Sequence, residues 1–249
     1  MAGHSKWATI KRAKAKTDAA RGKLFSRYAR EIMSAAKLGG GDPTMNPRLR
    51  LAIERSKADG LPNDNIARAI AKGTGEGEVD NTEEVTYEGY GPHGVAIIID
   101  TMTDNRNRTV GEIRAAFNKY GGSLGESGCV AYQFDTLGII EFEPAGRSED
   151  DALELALEAG ADDLVTDEDL WQIRCAVEQL HEVSKALTDA GLEAGDIRVD
   201  RLPQHTIELD ESQARGILRL IDALEECEDV ERVAANFDVT ADVLAALEA

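Results

Sequence analysis

Aromatic residues and cysteine are scarce in this chain, and positive charge is outweighed by negative charge. Aromatic residues make up 5% of the 249 residues and charged residues make up 30%, so we expect several small cores rather than one large core. The three cysteines, Cys129, Cys175 and Cys227, are odd in number and widely separated. Their spacing argues against a disulfide framework or a zinc site and favours reduced thiols in a cytosol.

The residue patterns of common catalytic sites are also missing. The four histidines, His4, His93, His181 and His205, are far apart, and none has metal-ligand spacing. No serine or cysteine lies in a nucleophile motif, and the glycine-rich segment 121–128 lacks the lysine of a phosphate-binding loop. The sequence therefore predicts a protein that is not an enzyme, with no catalytic residues, no metal and no cofactor.

Long hydrophobic runs are absent as well. No stretch approaches the roughly 20 apolar residues that a membrane span requires, and the N-terminal segment has no apolar signal-peptide core. We therefore expect a cytoplasmic protein of bacterial type without a membrane partner. The chain length predicts one to three domains.

The first 50 residues carry a charge of opposite sign to the rest. They contain 12 basic and 3 acidic residues, a net charge of 12 − 3 = +9, whereas the whole chain carries −19. The remainder is therefore at −19 − 9 = −28. Such asymmetry indicates a polyanion-binding segment on an acidic body, and nucleic acid is the expected polyanion because phosphate contacts release counterions.

The basic segment also has helical periodicity from Asp18 to Lys37. One row of residues, Phe25, Tyr28, Ile32 and Ala35, recurs at steps of three or four and predicts a buried helix face. A second row with the same spacing is basic and comprises Lys23, Arg27, Arg30, Ser34 and Lys37. This row is either a solvated face or a phosphate-contacting face. A basic run lies upstream of this row and comprises Lys11, Arg12, Lys14 and Lys16. No acidic residue lies between its members, which favours phosphate contact.

Two further features are candidates for nucleic-acid contact. Trp7 lies among cationic residues and could stack on an unpaired base, or pack with Ile10. The segment from Asp104 to Arg108 reads as a polar loop that either contacts phosphates or leads into a helix capped by Thr109. The complete candidate set is Lys6, Trp7, Lys11, Arg12, Lys14, Lys16, Arg21, Lys23, Arg27, Arg30, Arg106 and Arg108.

The hydrophobic pattern predicts an α+β fold with an N-terminal three-helix domain followed by two ferredoxin-like α/β sandwich domains, one inserted in the other. After the helices and a glycine-rich linker, the period changes from 3.6 to 2. A β-β-α-β unit is expected to end in a strand over 130–134. A β-α-β-β-α-β unit follows, which is the ferredoxin-like order. The tail is expected to add a strand over 206–209, a helix over 212–225 and a strand over 230–237.

The tail cannot close a core alone, so we expect it to complete the first α+β unit. The predicted domains are residues 1–80, residues 81–135 together with 204–249, and an inserted domain of residues 136–203.

Several short motifs, taken in order, resemble the YebC/PmpR family, which includes the mitochondrial translational activator of cytochrome oxidase. The matching residues are 1–7, 10–11, 16, 18, 21–23, 25, 40–43, 46–49, 62–66, 87–92, 103–108 and 121–124. The resemblance covers the full length, with fewer matches after about residue 135, and implies three domains. For bacterial members it implies DNA-binding transcriptional regulation. For the mitochondrial relative, and also for bacterial members, it implies action as a translation factor at the ribosome.

The sequence and the resemblance together predict a non-enzymatic, nucleic-acid-binding regulator of gene expression. The alternatives are a ribosome-associated translation factor that binds RNA, and a protein-interaction adaptor whose acidic body docks on a basic partner. The expected partners are nucleic acid, as DNA or as ribosomal RNA and tRNA, and, for a translation factor, the ribosome. The chain is expected to be a monomer or a weak dimer.

Overall fold

The computed structural model describes residues 18–75, 83–166 and 170–248, with side chains from residue 24 to residue 247. The helices are α1 (Asp18–Gly39), α2 (Pro47–Ala58), α3 (Asn63–Gly73), α4 (Arg106–Lys119), α5 (Glu149–Glu158), α6 (Leu180–Asp189), α7 (Glu211–Glu226) and α8 (Ala241–Glu248). The strands are β1 (Glu83–Tyr90), β2 (Ala96–Thr103), β3 (Ser123–Leu124), β4 (Phe134–Phe142), β5 (Asp163–Val165), β6 (Trp171–Cys175), β7 (Asp196–Pro203), β8 (Ile207–Leu209), β9 (Val230–Ala235) and β10 (Phe237–Val239).

Helices α1, α2 and α3 form the helical domain, and the predicted apolar row of α1 lies in its core. Asn46 starts α2 by accepting a hydrogen bond from the Leu49 backbone N–H at 3.1 Å, and Pro47 takes the first helical position. The buried core of the domain comprises Tyr28, Ile32, Ala35, Ala36, Leu49, Ala52, Leu61, Ile66 and Ala69, with Phe25 partly buried against it.

The remaining described residues form the body, which contains two four-stranded antiparallel sheets. The first sheet has the strand order β3-β1-β2-β9, and α4 and α7 cover one of its faces through Ile113, Phe117 and Ile217. The second sheet has the order β5-β6-β4-β7 and packs on α5 and α6. Its chain order is β-α-β-β-α-β, so the predicted ferredoxin-like unit is confirmed, as is the α+β class of the fold.

The prediction of a strand over 130–134 is wrong. The backbone N–H groups of Gly128, Val130 and Ala131 donate to the Glu88 carboxylate at 2.7–2.8 Å instead of to a neighbouring strand. Residues 131–133 form a 3₁₀ turn, and Phe134 already begins β4 of the second sheet. Burial alone would raise the pKa of Glu88, but these three hydrogen bonds outweigh it and hold the pKa below its ordinary value.

The expected strand over 230–237 is two strands interrupted at Asn236. Strand β9 pairs with β2 of the first sheet, whereas β10 pairs in parallel with β8 in a separate two-stranded sheet. Asn236 makes the break, because its side-chain oxygen accepts the Ala96 N–H at 2.7 Å and its backbone oxygen accepts the Ile207 N–H at 2.8 Å. The tail strand over 206–209 therefore does not join the first sheet.

The return of β9 to β2 brings the tail back to the first sheet after the second sheet is complete. The two sheets are joined by Arg201 of β7, whose guanidinium donates to both carboxylate oxygens of Asp100 on β2 at 2.9 Å. We retain the division into residues 1–80, 81–135 with 204–249, and 136–203 as a proposal that this pairing supports.

Candidate nucleic-acid interface

The structure describes only four of the predicted contact side chains. Those of Arg27, Arg30, Arg106 and Arg108 are described, whereas Arg21 and Lys23 lie on α1 with their side chains outside the described part. Six predicted residues lie outside the described residues altogether: Lys6, Trp7, Lys11, Arg12, Lys14 and Lys16. Residues 1–17 are therefore known from sequence alone, and the described part of the candidate interface begins at α1.

Arg106 and Arg108 lie in the first turn of α4, so the prediction of a loop over 104–108 capped by Thr109 is wrong. Asn105 is the N-cap, and its side-chain oxygen accepts the Arg108 backbone N–H at 3.2 Å. Thr109 is buried, and its hydroxyl donates to Asp229 Oδ2 at 2.7 Å instead of capping the helix. Arg106 forms an ion pair with Glu83 of β1, with one hydrogen bond at 2.7 Å.

Two of the predicted arginines contact Asp229, which immediately precedes β9. Arg108 Nη2 donates to its two carboxylate oxygens at 2.9 and 2.7 Å, and Thr103 and Thr109 donate to Oδ2 at 3.0 and 2.7 Å. Arg30 of α1 approaches the same carboxylate at 3.7 Å and donates to the backbone oxygen of residue 228 at 2.6 Å. Burial would raise the pKa of Asp229, but these hydrogen bonds, with that of Arg108 strongest, lower it.

Three further arginines, all on α2, point toward the body, and the sequence interpretation missed them. Arg48 forms an ion pair with Glu84, which also accepts the Ser34 hydroxyl at 2.6 Å. Arg50 Nη1 lies 3.0 Å from His181 Nε2. Arg48 and Arg55 are seven residues apart and share one side of α2, next to the buried row of Leu49, Ala52 and Ser56. That spacing could have marked a second basic face.

Arg55 lies at the centre of the contact between the helical domain and the body. Its guanidinium lies 3.6 Å from Glu31 of α1 and 3.6 Å from Asp196 of β7, and it stacks 5.9 Å from the centre of the Tyr28 ring. Burial alone would lower the pKa of Arg55, but the nearby carboxylates outweigh it and raise the pKa. The side chain therefore stays cationic in a largely buried position.

A cleft of about 700 Å³ opens between the helical domain, the first sheet and β7. Residues of both signs line it, including Arg27, Glu84, Arg201 and Glu231. Val230 pairs with Thr101 and Arg232 pairs with Asp100, so Glu231 is the extra residue of a β-bulge. A bulge re-aims a side chain, and this one directs a carboxylate into the cleft.

The Glu231 carboxylate is buried, and Oε1 receives no hydrogen bond from any residue that the structure describes. Burial, reinforced by the carboxylate of Glu31, raises the pKa of Glu231 to about 7, although Arg27 and Arg30 act in the opposite direction. A carboxyl group with this pKa changes charge near neutral pH, at the contact between α1 and the first sheet.

Comparison with known proteins assigns the chain to a family over most of its length. Residues 5–76 match the TACO1/YebC protein N-terminal domain, and residues 82–237 match the TACO1/YebC second and third domain. The chain belongs to the TACO1/YebC family. The resemblance inferred from the short motifs is thereby confirmed.

Full-length relatives of this TACO1/YebC chain carry the name probable transcriptional regulatory protein. One from Chlorobaculum tepidum is 53% identical over 249 residues, which cover 100% of this chain and 99% of the relative. One from Pelotomaculum thermopropionicum is 54% identical over 241 residues, covering 96% and 99%. The crystal structure of a conserved hypothetical protein from Aquifex aeolicus is 46% identical, with a TM-score of 0.85, and the match covers 93% of this chain and 96% of that one.

The described part of the TACO1/YebC chain contains no group of three His, Cys, Asp or Glu residues placed to hold a metal ion. Among the described helices, none is long and apolar enough to cross a membrane. The three cysteines carry free thiols, and burial raises the pKa of Cys175 to about 11, which keeps that thiol protonated at neutral pH.

Proposed function

We propose that this TACO1/YebC chain is a non-enzymatic regulator of gene expression, acting in transcription, that binds nucleic acid through the phosphate backbone. The binding elements are the N-terminal arm (residues 1–17) and the helical domain. The names of the relatives support a regulatory role. The distribution of charge along the chain supports the binding mode.

One observation carries the proposal, and it is the segregation of charge between the helical domain and the body. Residues 1–75 contain 16 basic and 6 acidic residues, so they carry +10. The rest of the chain then carries −19 − 10 = −29. A polyanion is attracted to the first part and repelled by the second, so the encounter is oriented before any specific contact forms.

The arm supplies the densest positive charge. It contains five cations and no acidic residue, and it leads directly into α1. The described surface of the helical domain adds exposed cations, among them Lys57 and Lys72. Contacts of this kind position a protein on nucleic acid without reading sequence, because phosphates are the same at every base.

The test is equilibrium binding of the full chain to a DNA duplex of arbitrary sequence, followed by fluorescence anisotropy. Replacing Lys11, Arg12, Lys14 and Lys16 together by glutamine should lower the affinity by at least about tenfold at moderate salt. The matched control removes four exposed cations from the body: Arg114, Lys119, Lys185 and Arg219. An unchanged affinity of the arm variant, or an equal loss in the control, would contradict phosphate binding by the arm.

A further inference from the structure

The helical domain is held on the body largely by charged side chains. Arg30 reaches Asp229, Arg48 reaches Glu84, and Arg55 reaches Asp196, each pair joining a helix of the domain to a strand of the body or its flank. Leu51 of α2 adds an apolar contact at the edge of the second core. A contact built this way depends on salt more than an apolar interface does.

The same contact is loosely filled. The cleft of about 700 Å³ lies on one side of Arg55, and a second open cleft of about 790 Å³ at the same junction is lined by Leu24, Tyr28 and Arg198. The helical domain and the two sheets each have their own buried core. The helical domain and the body are therefore not packed together as one core.

Packing of the helical domain on the body, here called docking, also leaves several polar atoms buried without a hydrogen bond. Within the described residues, Glu231 Oε1 and the Nε atoms of Arg30, Arg50 and Arg55 are buried without a hydrogen-bond partner. Burying a polar group without a partner is unfavourable. The docked arrangement therefore carries a built-in cost that separation of the helical domain would relieve.

The carboxylates of the body do not depend on the helical domain. Without Arg30, Asp229 keeps Arg108 and two threonine hydroxyls. Without Arg55, Asp196 keeps Arg198, whose Nη1 donates to it at 2.7 Å. Glu84 is 44% exposed and can be solvated. Separation would therefore leave no carboxylate of the body both buried and unpaired. Arg30 and Arg48 would become free to bind another anion, and Arg55 would keep only Glu31 of α1, at 3.6 Å.

We propose that the acidic body competes with the phosphate backbone of nucleic acid for Arg30, Arg48 and Arg55, so that docking masks a second basic face of the helical domain. This rests on the proposed function and adds its regulation. Carboxylate and phosphate are bound by arginine through the same charge-assisted, two-pronged hydrogen bonds, which is why one can substitute for the other.

The experiment weakens docking from the body side and leaves every arginine in place. Glu84→Gln removes the partner of Arg48, and Asp196→Asn removes a partner of Arg55. Binding of the full chain to an arbitrary DNA duplex is measured by fluorescence anisotropy at moderate salt. Each substitution should raise the affinity by about two- to fivefold, the range set by one partly exposed ion pair, and the double variant by the product.

The matched control is Glu211→Gln with Asp135→Asn. Glu211 is 50% exposed and pairs with Arg215 on its own helix, and Asp135 is an exposed residue of the body that accepts from Gln204, so the control removes the same two charges away from the contact. A larger gain in DNA affinity for Glu84→Gln with Asp196→Asn than for the control pair supports competition. Equal gains in affinity for both pairs would show only that removing negative charge reduces repulsion of DNA. That result, or no gain in affinity at all, overturns the inference. If the unaltered chain binds neither DNA nor RNA at low salt, the proposed function itself fails.

Discussion

Arg30 and Arg108 converge on the carboxylate of Asp229 from helices on opposite sides of the contact between the helical domain and the body. Arg108 binds it with two hydrogen bonds at 2.9 and 2.7 Å, and Arg30 approaches it at 3.7 Å. Asp229 is 5% exposed in its side chain. We therefore expect Asp229 to contribute more to the stability of the body, through Arg108, than to the contact with α1, through Arg30.

Asp229→Asn should lower the free energy of unfolding by about 2–4 kcal/mol, because hydrogen bonds to a buried charge are worth about 1.5–3 kcal/mol each and Arg108 is partly screened by solvent. The measurement is urea unfolding followed by circular dichroism. Asp104→Asn is the control, since Asp104 also binds Arg108 at 2.9 Å but is 61% exposed. A loss from Asp104→Asn equal to that from Asp229→Asn would contradict the role assigned to Asp229.

The pH dependence of this effect has a definite sign. The folded-state pKa of Asp229 is lowered, so its contribution is present above the ordinary aspartate pKa of about 3.9 and is lost as pH falls through the folded value. The stability difference between the parent and Asp229→Asn should therefore narrow in acid.

Glu231 should show the opposite pH dependence. Its folded-state pKa is raised to about 7, above the ordinary glutamate value of about 4.3, so its contribution is full in acid and is lost as pH rises toward 7. Glu231→Gln should therefore be more stable than the parent near pH 8, by on the order of 1–3 kcal/mol, with the difference shrinking toward pH 4.5.

Urea unfolding at several pH values tests this, with Glu208→Gln as the control because Glu208 is an exposed residue of the body. A constant difference between Glu231→Gln and the parent across the range would show that Glu231 is not titrating there. Among the charged groups that act on Glu231, Arg27 and Arg30 lower its pKa, whereas Glu31 and Glu84 raise it.

Local patterns predicted the helices and most strands, because each is set by neighbouring residues. The row Phe25, Tyr28, Ile32 and Ala35 is buried as its spacing indicates, and Asn46 with Pro47 begins α2. These elements depend on periodicity and capping alone.

Contacts between distant residues were not predictable in the same way. The segment 130–134 alternates like a strand, but Glu88, about 40 residues earlier, takes up its backbone donors. The pairing of Arg30 with Asp229 spans 199 residues, and the bulge at Glu231 depends on its register with β2. A helical basic row looks identical in sequence whether it faces solvent, phosphate or carboxylates.

Salt dependence should identify phosphate contact by the arm. Five cations precede Asp18, so log K for duplex DNA should fall against log salt with a slope of roughly −4 to −5. Deleting residues 1–17 leaves all of α1 and should reduce the slope toward about −1. Circular dichroism confirms folding of the truncated chain. A full-chain slope near −1, or a strong preference for one short sequence, would contradict phosphate-dominated binding.

Trp7 offers a test of which polymer is bound. It lies outside the described residues, among Lys6, Lys11 and Arg12 in sequence. An indole beside cations can stack on an unpaired base with about 1–3 kcal/mol, and duplex DNA hides its base faces whereas ribosomal RNA and tRNA ends expose them. Trp7→Ala should therefore weaken binding to single-stranded or structured RNA by about tenfold or more, with little change for duplex DNA.

The rival outcome for Trp7 is packing against the helical domain through Ile10. In that case Trp7→Ala lowers the melting temperature and weakens both ligands in parallel, because the loss acts through the fold and not through a stacked base. Measuring the melting temperature together with both affinities separates the two cases. A selective loss of RNA binding at unchanged melting temperature would favour translation as the regulated process, since only unpaired bases can stack on the indole. A parallel loss would remove this residue as an argument for RNA and leave phosphate contact by Lys11, Arg12, Lys14 and Lys16 as the basis of binding.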